Sequence, residues 1–157
     1  MLKFNIPGSF GLVKINNLVF DYNGTLAIDG KLIPQVRRYL KELSKKVKIY
    51  IITADTYGSA ESGLEGIPCE IKKVPSSNQC EFKADYIKLI GADKTIAFGN
   101  GKNDFLMLKE AKIGIAVIQT EGAYSQTILN SDIVCNNIID ALELFSKYKR
   151  LKATLRD

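Results

Sequence analysis

Residues 19–26 read Val-Phe-Asp-Tyr-Asn-Gly-Thr-Leu, and this stretch decides the fold class and the chemistry open to the chain. An apolar run ends at Asp21 and is followed at once by the turn Asn23-Gly24-Thr25. This pattern predicts a carboxylate at the carboxyl end of a buried strand, where open α/β sheets bind their ligands. An aspartate in that position, beside backbone N–H groups and a hydroxyl, is suited to attack on phosphorus.

Apolar runs of strand length alternate with amphipathic segments along the rest of the chain. Strands are predicted at residues 18–21, 47–53, 95–98, 113–117 and 133–134. Helices are predicted to begin at Pro34 and near Asn78, to cover residues 103–111, and to close the core around residues 138–145. Such alternation predicts an α/β protein with a three-layer α/β/α Rossmann-like fold and a mostly parallel central sheet.

The helix near Asn78 carries more detailed predictions. Glu81 lies three residues after Asn78, which is the spacing of a capping box. The inner face of this helix is expected to consist of its large apolar residues, Phe82, Tyr86, Leu89 and Ile90. Gly91 is expected to end the helix.

Length and composition predict one globular domain over residues 1–157, with an N-terminal β-hairpin within residues 1–16 and a basic C-terminal tail at 147–157. The hydrophobic content of 46% and the charged content of 25% are typical of soluble proteins. No apolar run approaches the ~20 residues that span a bilayer. The N-terminus also lacks the apolar core of a signal peptide, so we expect a cytoplasmic protein with no membrane partner.

The residue types that are missing or scattered exclude several classes of site. The chain has no histidine, which excludes His-based catalytic triads, His-ligated zinc and imidazole general bases. Its three cysteines have no metal-ligand spacing. The net charge of +5 is mild, and only Tyr148 interleaves with the basic residues of the tail, so we do not expect nucleic acid as a partner.

Three further segments carry polar residues at predicted strand ends or on an intervening helix. Thr53-Ala54-Asp55 ends the second core strand and offers a hydroxyl and a carboxylate. Lys83 lies near the start of a helix. Residues 99–104, Gly-Asn-Gly-Lys-Asn-Asp, follow the next strand and begin a helix, where glycines let the backbone approach a phosphate and Asp104 offers oxygen to Mg²⁺. Each segment is weak evidence alone, whereas the ordered set points to one site.

In this order, the four segments resemble the motifs of the haloacid dehalogenase superfamily of phosphotransferases, over about residues 15–145. Thr53-Ala54-Asp55 and residues 101–104 are similar to motifs in the phosphorylation domain of P-type ATPases, so the resemblance is to soluble P-type ATPase-like phosphatases. Only about thirty positions separate Asp21 from Thr53 and Thr53 from Lys83. Neither interval has room for a cap domain, and an open site suits a macromolecular substrate or closure by a neighbouring subunit of a homo-oligomer.

The resemblance implies Asp21 as the nucleophile of a phosphohydrolase that forms an aspartyl-phosphate, with Asn23, Thr53 and Lys83 as the other catalytic positions. Its substrate would be a small phosphorylated molecule or ATP. Its phosphate-binding residues would be Gly24, Thr25, Thr53, Ala54, Lys83 and Asn103. Its cofactor would be Mg²⁺, at Asp21, the Asn23 backbone carbonyl, Asn100 and Asp104, with the direct ligand left open between Asn100 and Asp104.

Asn23 and Asn100 depart from the superfamily pattern, which has an acid at both positions. An amide cannot protonate a leaving group or activate water, help that is worth about 10²–10⁴-fold. The chain is therefore expected to favour good leaving groups and to form a long-lived phosphoenzyme. The same asparagines leave open a protein of little or no activity that binds a phosphorylated ligand and regulates a partner. A phospho-receiver module is disfavoured because its acceptor aspartate lies mid-chain after an acidic pair.

Overall fold

The structure, a computed structural model, describes residues 1–55 and 58–157. Its strands are β1 (Leu2–Ile6), β2 (Gly11–Ile15), β3 (Asn17–Phe20), β4 (Ala27–Ile28), β5 (Lys31–Leu32), β6 (Lys48–Thr53), β7 (Glu70–Lys73), β8 (Thr95–Gly99), β9 (Ile113–Val117) and β10 (Ile133–Cys135). Its helices are α1 (Val36–Ser44), α2 (Ser59–Leu64), α3 (Gln79–Ile90), α4 (Phe105–Glu110), α5 (Ser125–Leu129), α6 (Ile138–Glu143) and α7 (Tyr148–Leu155). Short 3₁₀ turns at Ala92–Lys94 and Lys102–Asp104 precede β8 and α4.

Six strands form the central sheet in the order β10-β9-β8-β3-β6-β7, and every neighbouring pair is parallel. The predicted α/β class with a parallel sheet is confirmed. β3 lies inside the sheet between β6 and β8 and is buried along its whole length, as expected for a strand covered on both faces. Because the strands are parallel, the residues that follow β3, β6 and β8 meet at one edge of the sheet.

Apolar side chains on the two faces of the sheet form two separate cores. One core joins the sheet to the β1–β2 hairpin and to α1, α6 and α7, with Phe20 and Phe98 stacked at 4.4 Å between ring centroids. The other core places Met107 and Leu108 of α4 and Ile87 of α3 against the opposite face. Burial of each apolar side chain of this size contributes about 1.5–3 kcal/mol to the free energy of folding. The predicted three-layer arrangement therefore rests on two apolar faces.

Helix α3 begins and ends close to the prediction, but its buried face differs. The residues that are buried are Lys83, Ala84 and Ile87, whereas Leu89 is 79% exposed. The predicted inner face was therefore wrong at Leu89. Because the Lys83 side chain points into the interior, the buried face of α3 is the one that contains Lys83. The capping box predicted at Asn78 is also wrong, since Asn78 has φ 55° and no side-chain capping bond. Gly91 ends the helix at φ 101°.

Several short elements had no sequence prediction. The β4–β5 hairpin follows the Asp21 turn, and α2 and β7 lie between β6 and α3. They fill the two intervals in which a cap domain would be inserted, and the described residues hold no such domain there. Helix α7 occupies residues at which a basic tail was expected, and Leu151 anchors it. Across the described ranges, no helix has the length and apolar character needed to cross a membrane.

Candidate active site

Three adjacent strands end at the same edge of the sheet and deliver the predicted polar residues. Asp21 directly follows β3, Thr53 ends β6, and Asn100 directly follows β8. The Asp21 backbone N–H donates to the Phe98 carbonyl over 3.0 Å, which extends the pairing of β3 and β8 past the end of β3. All three residues are more than 90% buried, yet the Asp21 side chain keeps 10% of its surface exposed. Asp21 is therefore partly reachable from solvent.

Lys83 links two carboxylates in the interior of the site. Its Nζ lies 2.7 Å from Asp21 Oδ1 and 2.7 Å from Asp104 Oδ1, and the side chain has no exposed surface. A buried ammonium of this kind persists only when it is paired, because burial of an unpaired charge costs several kcal/mol. The two ion pairs explain why a lysine occupies the inner face of α3.

The proton affinities of this triad follow from burial and from charge. Burial and then the Asp104 carboxylate raise the pKa of Asp21, the Lys83 ammonium opposes both, and the net result is a pKa of about 7. Burial lowers the pKa of Lys83, but Asp104 and Asp21 outweigh burial and hold that pKa above its ordinary value. Lys83 is thus charged at neutral pH. A second cation at Asp21 would favour the ionised carboxylate.

Asp104 holds the loop after β8 in place. Its Oδ2 accepts the backbone N–H groups of Asn100 at 3.0 Å and Gly101 at 2.9 Å, while its Oδ1 accepts from Lys83. A Cβ at position 99 would lie 2.5 Å from Asp104 Cγ, so only glycine admits this close approach. Because both carboxylate oxygens are engaged and the side chain is fully buried, the geometry favours a positioning role for Asp104.

Asn100 is oriented by bonds to two loops. Its Nδ2 donates to the Gly122 carbonyl over 3.0 Å, which directs Oδ1 toward the Thr25 hydroxyl at 3.4 Å. Gly24 lies beside it at φ +76°, and a Cβ there would come within 2.4 Å of Asn100 Nδ2. The Asn-Gly-Thr turn after Asp21 therefore fits around Asn100. Thr25 is fully buried, and its hydroxyl donates to Asn100 Oδ1.

The remaining predicted residues lie around the Asp21 turn at different depths. The Thr53 hydroxyl accepts the Asp55 backbone N–H over 3.0 Å, which leaves its proton available to an acceptor in the site. Ala54 follows Thr53 and is half-buried, and Asn23 is exposed. Asn103 is half-buried and donates through Nδ2 to Gln79 Oε1 over 2.9 Å. Asp55 caps the start of α2 by accepting the Ala60 N–H at 2.8 Å.

A segment that sequence reasoning missed, residues 119–127, braces the site. Gln119 Nε2 donates to the carbonyls of Gly24 at 2.8 Å and Thr25 at 2.7 Å. Thr127 donates to the Gly101 carbonyl at 2.7 Å, and the Tyr124 N–H donates to the Asn100 carbonyl at 2.8 Å. No motif marks these residues because their partners are backbone atoms. In the structure, Gln119 is also one of the non-glycine residues with a positive φ, at 51°, which the sequence does not reveal.

The donor set available to a cation consists of hard oxygen atoms with little charge. The Asp21 carboxylate, the Asn23 carbonyl and the Asn100 amide oxygen suit Mg²⁺, which takes few protein ligands and keeps several waters. Over residues 1–55 and 58–157, no group of three or more His, Cys, Asp or Glu side chains is placed to hold a metal ion. The residues therefore fit a magnesium ion that is held by one carboxylate and by neutral oxygens.

Comparison with known proteins places the chain among related sequences. Residues 82–126 match the model of a family described as haloacid dehalogenase-like hydrolase. The chain is also 61% identical over 64 residues to the uncharacterised protein MJ0073 of Methanocaldococcus jannaschii, a match that covers 41% of this chain and 69% of that protein.

Solved structures share the whole fold at low sequence identity. The chain is similar to the 3-deoxy-D-manno-octulosonate 8-phosphate phosphatase of Moraxella catarrhalis, with a TM-score of 0.70, 17% identity and coverage of 90% of this chain and 94% of that one. It is equally similar to the cobalt-bound deoxy-D-mannose-octulosonate 8-phosphate phosphatase of Haemophilus influenzae, with a TM-score of 0.70, 11% identity and coverage of 92% and 94%. The family match over residues 82–126 and the shared fold agree with the haloacid dehalogenase superfamily, which the ordered motifs resemble, and the described residues hold no cap domain.

Proposed function

We propose that the protein is a Mg²⁺-dependent phosphohydrolase that acts through an aspartyl-phosphate on Asp21. The observation that carries this proposal is the position of Asp21, at the end of the inner strand β3 with the Lys83 ammonium 2.7 Å from its Oδ1. A carboxylate that is largely buried and ion-paired, on a side chain that stays partly exposed, meets the needs of a nucleophile.

In the proposed reaction, an Asp21 carboxylate oxygen forms a bond to phosphorus while the bond from phosphorus to the leaving oxygen breaks. Water then attacks phosphorus, releases inorganic phosphate and restores the carboxylate. Lys83 neutralises charge on Asp21 and on the phosphoryl oxygens, and the Thr53 hydroxyl donates to one of those oxygens. We assign the remaining phosphate contacts to Ala54 and Asn103. The Gly24 and Thr25 N–H groups and the Thr25 hydroxyl are bonded within the site, so the predicted phosphate contacts of these two residues are not available in this geometry.

The magnesium ligands in this proposal are Asp21, the Asn23 backbone carbonyl and the Asn100 amide oxygen. The bound cation would supply charge stabilisation at the phosphoryl oxygens. Asp104, whose two oxygens are engaged by Lys83 and by backbone N–H groups, holds the backbone of Asn100 in place. This choice between Asn100 and Asp104 follows from the complete burial of Asp104.

The structural neighbours support a small phosphorylated substrate. The Moraxella catarrhalis phosphatase was solved in complex with a magnesium ion, a phosphate ion and a KDO molecule, and the Haemophilus influenzae phosphatase in a cobalt-bound form. We propose that this chain also acts on small phosphate compounds, with ATP among the candidates because Thr53-Ala54-Asp55 is similar to a P-type ATPase motif. A second copy of the chain could close the open site.

Asn23 narrows the substrate class. Its side chain is exposed near Asp21 and carries no proton that it can give to a leaving oxygen. The leaving groups of aryl phosphates, acyl phosphates and ATP depart without that help. The alkoxide of a sugar phosphate does not. Replacement Asn23→Asp should raise turnover of a sugar phosphate by up to about 10²–10⁴-fold and that of an aryl phosphate much less. Equal effects on both substrates would contradict the assignment of Asn23.

A second candidate function is binding of a phosphorylated ligand with little turnover. The observation that favours it is the low negative charge of the proposed metal site. Among the ligands that we assign, only Asp21 is a carboxylate. Such a protein would be stabilised by phosphate ligands, by RT ln(1+[L]/Kd), and would not consume them.

One experiment separates the two functions. Fresh protein, verified by intact mass, is incubated with an aryl phosphate and Mg²⁺, and phenol release is followed. The proposal expects turnover in the native protein and none in Asp21→Asn, whose amide is a poor nucleophile. Thermal stabilisation by inorganic phosphate with no phenol release would favour the binding function and contradict the phosphohydrolase.

A further inference from the structure

A polar depression that is open to solvent lies at the end of the sheet opposite to Asp21. It has a volume of about 670 Å³ and is bordered by the starts of β3 and β6, by the residue before β8 and by the ends of α1 and α3. A strand of four to six residues at ~3.3 Å per residue separates this cavity from Asp21 by roughly 13–20 Å. We call it the lysine cleft, after the four lysines that line it: Lys45, Lys46, Lys48 and Lys94.

The charges in the lysine cleft are all of one sign. None of the described residues that line it is acidic. Lys45 is paired with Glu42 at 2.8 Å, but both side chains are about two-thirds exposed, so the pair contributes little. Within the described residues, Lys46, Lys48 and Lys94 have no carboxylate within 4.0 Å. Several like charges around one depression repel one another, and an anion would relieve that repulsion.

Helix ends could offer another explanation for these lysines, because the carboxyl ends of α1 and α3 carry partial negative charge. One carbonyl group at each of these helix ends already has a protein donor. Ile90 O accepts Asn17 Nδ2 at 3.0 Å, and Leu43 O accepts the N–H groups of Lys46 and Val47 at 2.9 and 3.0 Å. These two carbonyls therefore do not serve as partners of the lysine ammonium groups, which are exposed and accessible to an anion from solution.

The floor of the cleft is polar, fixed and without an open aromatic face. Asn17 is 5% exposed, and its amide also donates to Thr95 Oγ1 at 3.3 Å. Tyr50 is 7% exposed and packs edge-on against Tyr86, so its ring offers no platform on which a base could stack. A volume of about 670 Å³ exceeds the needs of a single phosphate and lies within the range of small-ligand sites.

We propose that the lysine cleft binds a small ligand with two or more linked phosphate groups, through Lys46, Lys48 and Lys94 and away from Asp21. Recognition is by the phosphate chain, so inorganic tripolyphosphate and the triphosphate of a nucleotide share the determinant. This proposal is independent of the reaction at Asp21.

The test is isothermal titration calorimetry with tripolyphosphate, in a chelator and at low salt, so that no metal contributes. The double variant Lys48→Gln/Lys94→Gln should lose affinity by roughly tenfold or more, because each removed ammonium weakens a direct ionic contact. The matched control Lys109→Gln/Lys149→Gln removes the same charge from exposed positions outside the cleft and should change affinity less than about twofold. Circular dichroism checks that both variants fold.

Three outcomes would overturn the proposal. Equal losses in the cleft variant and in the control would show non-specific attraction to net charge. A comparable loss in Asp21→Asn would place the ligand at the other end of the sheet. ATP binding that is much tighter than tripolyphosphate binding would show recognition of the base. ATP and tripolyphosphate of similar affinity, with Asp21→Asn unchanged, would support the lysine cleft whether or not the protein hydrolyses phosphate esters.

Discussion

At Lys83, one buried ammonium lies between Asp21 and Asp104, at 2.7 Å from each. Its pKa is held above the ordinary value despite burial, so the triad carries a net charge of about −1 when both carboxylates are ionised. The same side chain therefore stabilises the fold and sets the charge at the proposed nucleophile. A substitution at Lys83 should reveal both effects.

Replacement Lys83→Ala should lower the free energy of unfolding by about 3–5 kcal/mol, because the buried Asp104 carboxylate would lose its partner. Urea denaturation of the metal-free protein measures this loss. Lys88→Ala is the control on the same helix, since Lys88 is exposed and pairs with Asp85 at the surface. The control should stay within ~0.5 kcal/mol of the native protein. A loss below about 1 kcal/mol for Lys83→Ala would contradict the buried ion-pair account.

A second residue-scale prediction concerns the charge at Asn100. Replacement Asn100→Asp adds a carboxylate to the proposed magnesium ligands and should tighten Mg²⁺ binding by about tenfold, since affinity rises with ligand charge. Asn100→Ala should weaken it. Calorimetric titration with Mg²⁺ gives both affinities. Asn5→Asp adds the same charge at an exposed site on β1 and should have no effect. Unchanged affinity in both Asn100 variants would exclude Asn100 as a ligand.

At the scale of elements, the segment after β9 connects separate loops of the site. Gln119 bonds to the Asp21 turn, and Thr127 and Tyr124 bond to the loop after β8. Within the described part of the chain, none of these residues hydrogen-bonds to the Asp21 carboxylate, so their effect on the reaction would pass through loop position. Gln119 is the clearest case, because one side-chain amide donates to two adjacent carbonyls.

Replacement Gln119→Ala should lower aryl phosphatase turnover by about tenfold with a smaller change in KM, because the Asp21 turn would lose its brace. Loss of two hydrogen bonds should also reduce stability by about 1–3 kcal/mol. Steady-state kinetics and urea denaturation measure these effects. The control is Gln126→Ala, an exposed glutamine on α5. If Gln119→Ala and Gln126→Ala behaved alike, the bracing role would be refuted.

The elements also show where prediction from sequence succeeded and where it failed. Strands β3, β6, β8 and β9 were predicted within one or two residues because continuous apolar runs of that length have few alternative structures. Strand β7, Glu-Ile-Lys-Lys, has no such run because it is an edge strand with charged positions. Leu89 was misplaced because the ion pairs of Lys83, and not apolar periodicity, decide which face of α3 is buried.

At the scale of the whole molecule, the parallel sheet gathers residues that are far apart in sequence. Asp21, Thr53 and Asn100 end three neighbouring strands, and Lys83 reaches them from α3. Sequence order and strand-end position were sufficient to predict this gathering. The hydrogen bonds of residues 119–127 and the lysine cleft were not predictable, because they depend on which backbone carbonyls and strand starts become neighbours in three dimensions.

The measurement that tests the central claim most directly is phosphoenzyme trapping with Mg²⁺ and γ-labelled ATP, acetyl phosphate or an aryl phosphate, followed by an acid quench. An aspartyl-phosphate is an acyl phosphate, so we predict a protein-bound label that survives acid, is released by hydroxylamine and is absent from Asp21→Ala. Because Asn23 gives no general-base help, the label should persist longer than in Asn23→Asp. A label that remains in Asp21→Ala, or no label from any donor, would contradict the assignment of Asp21 as the nucleophile.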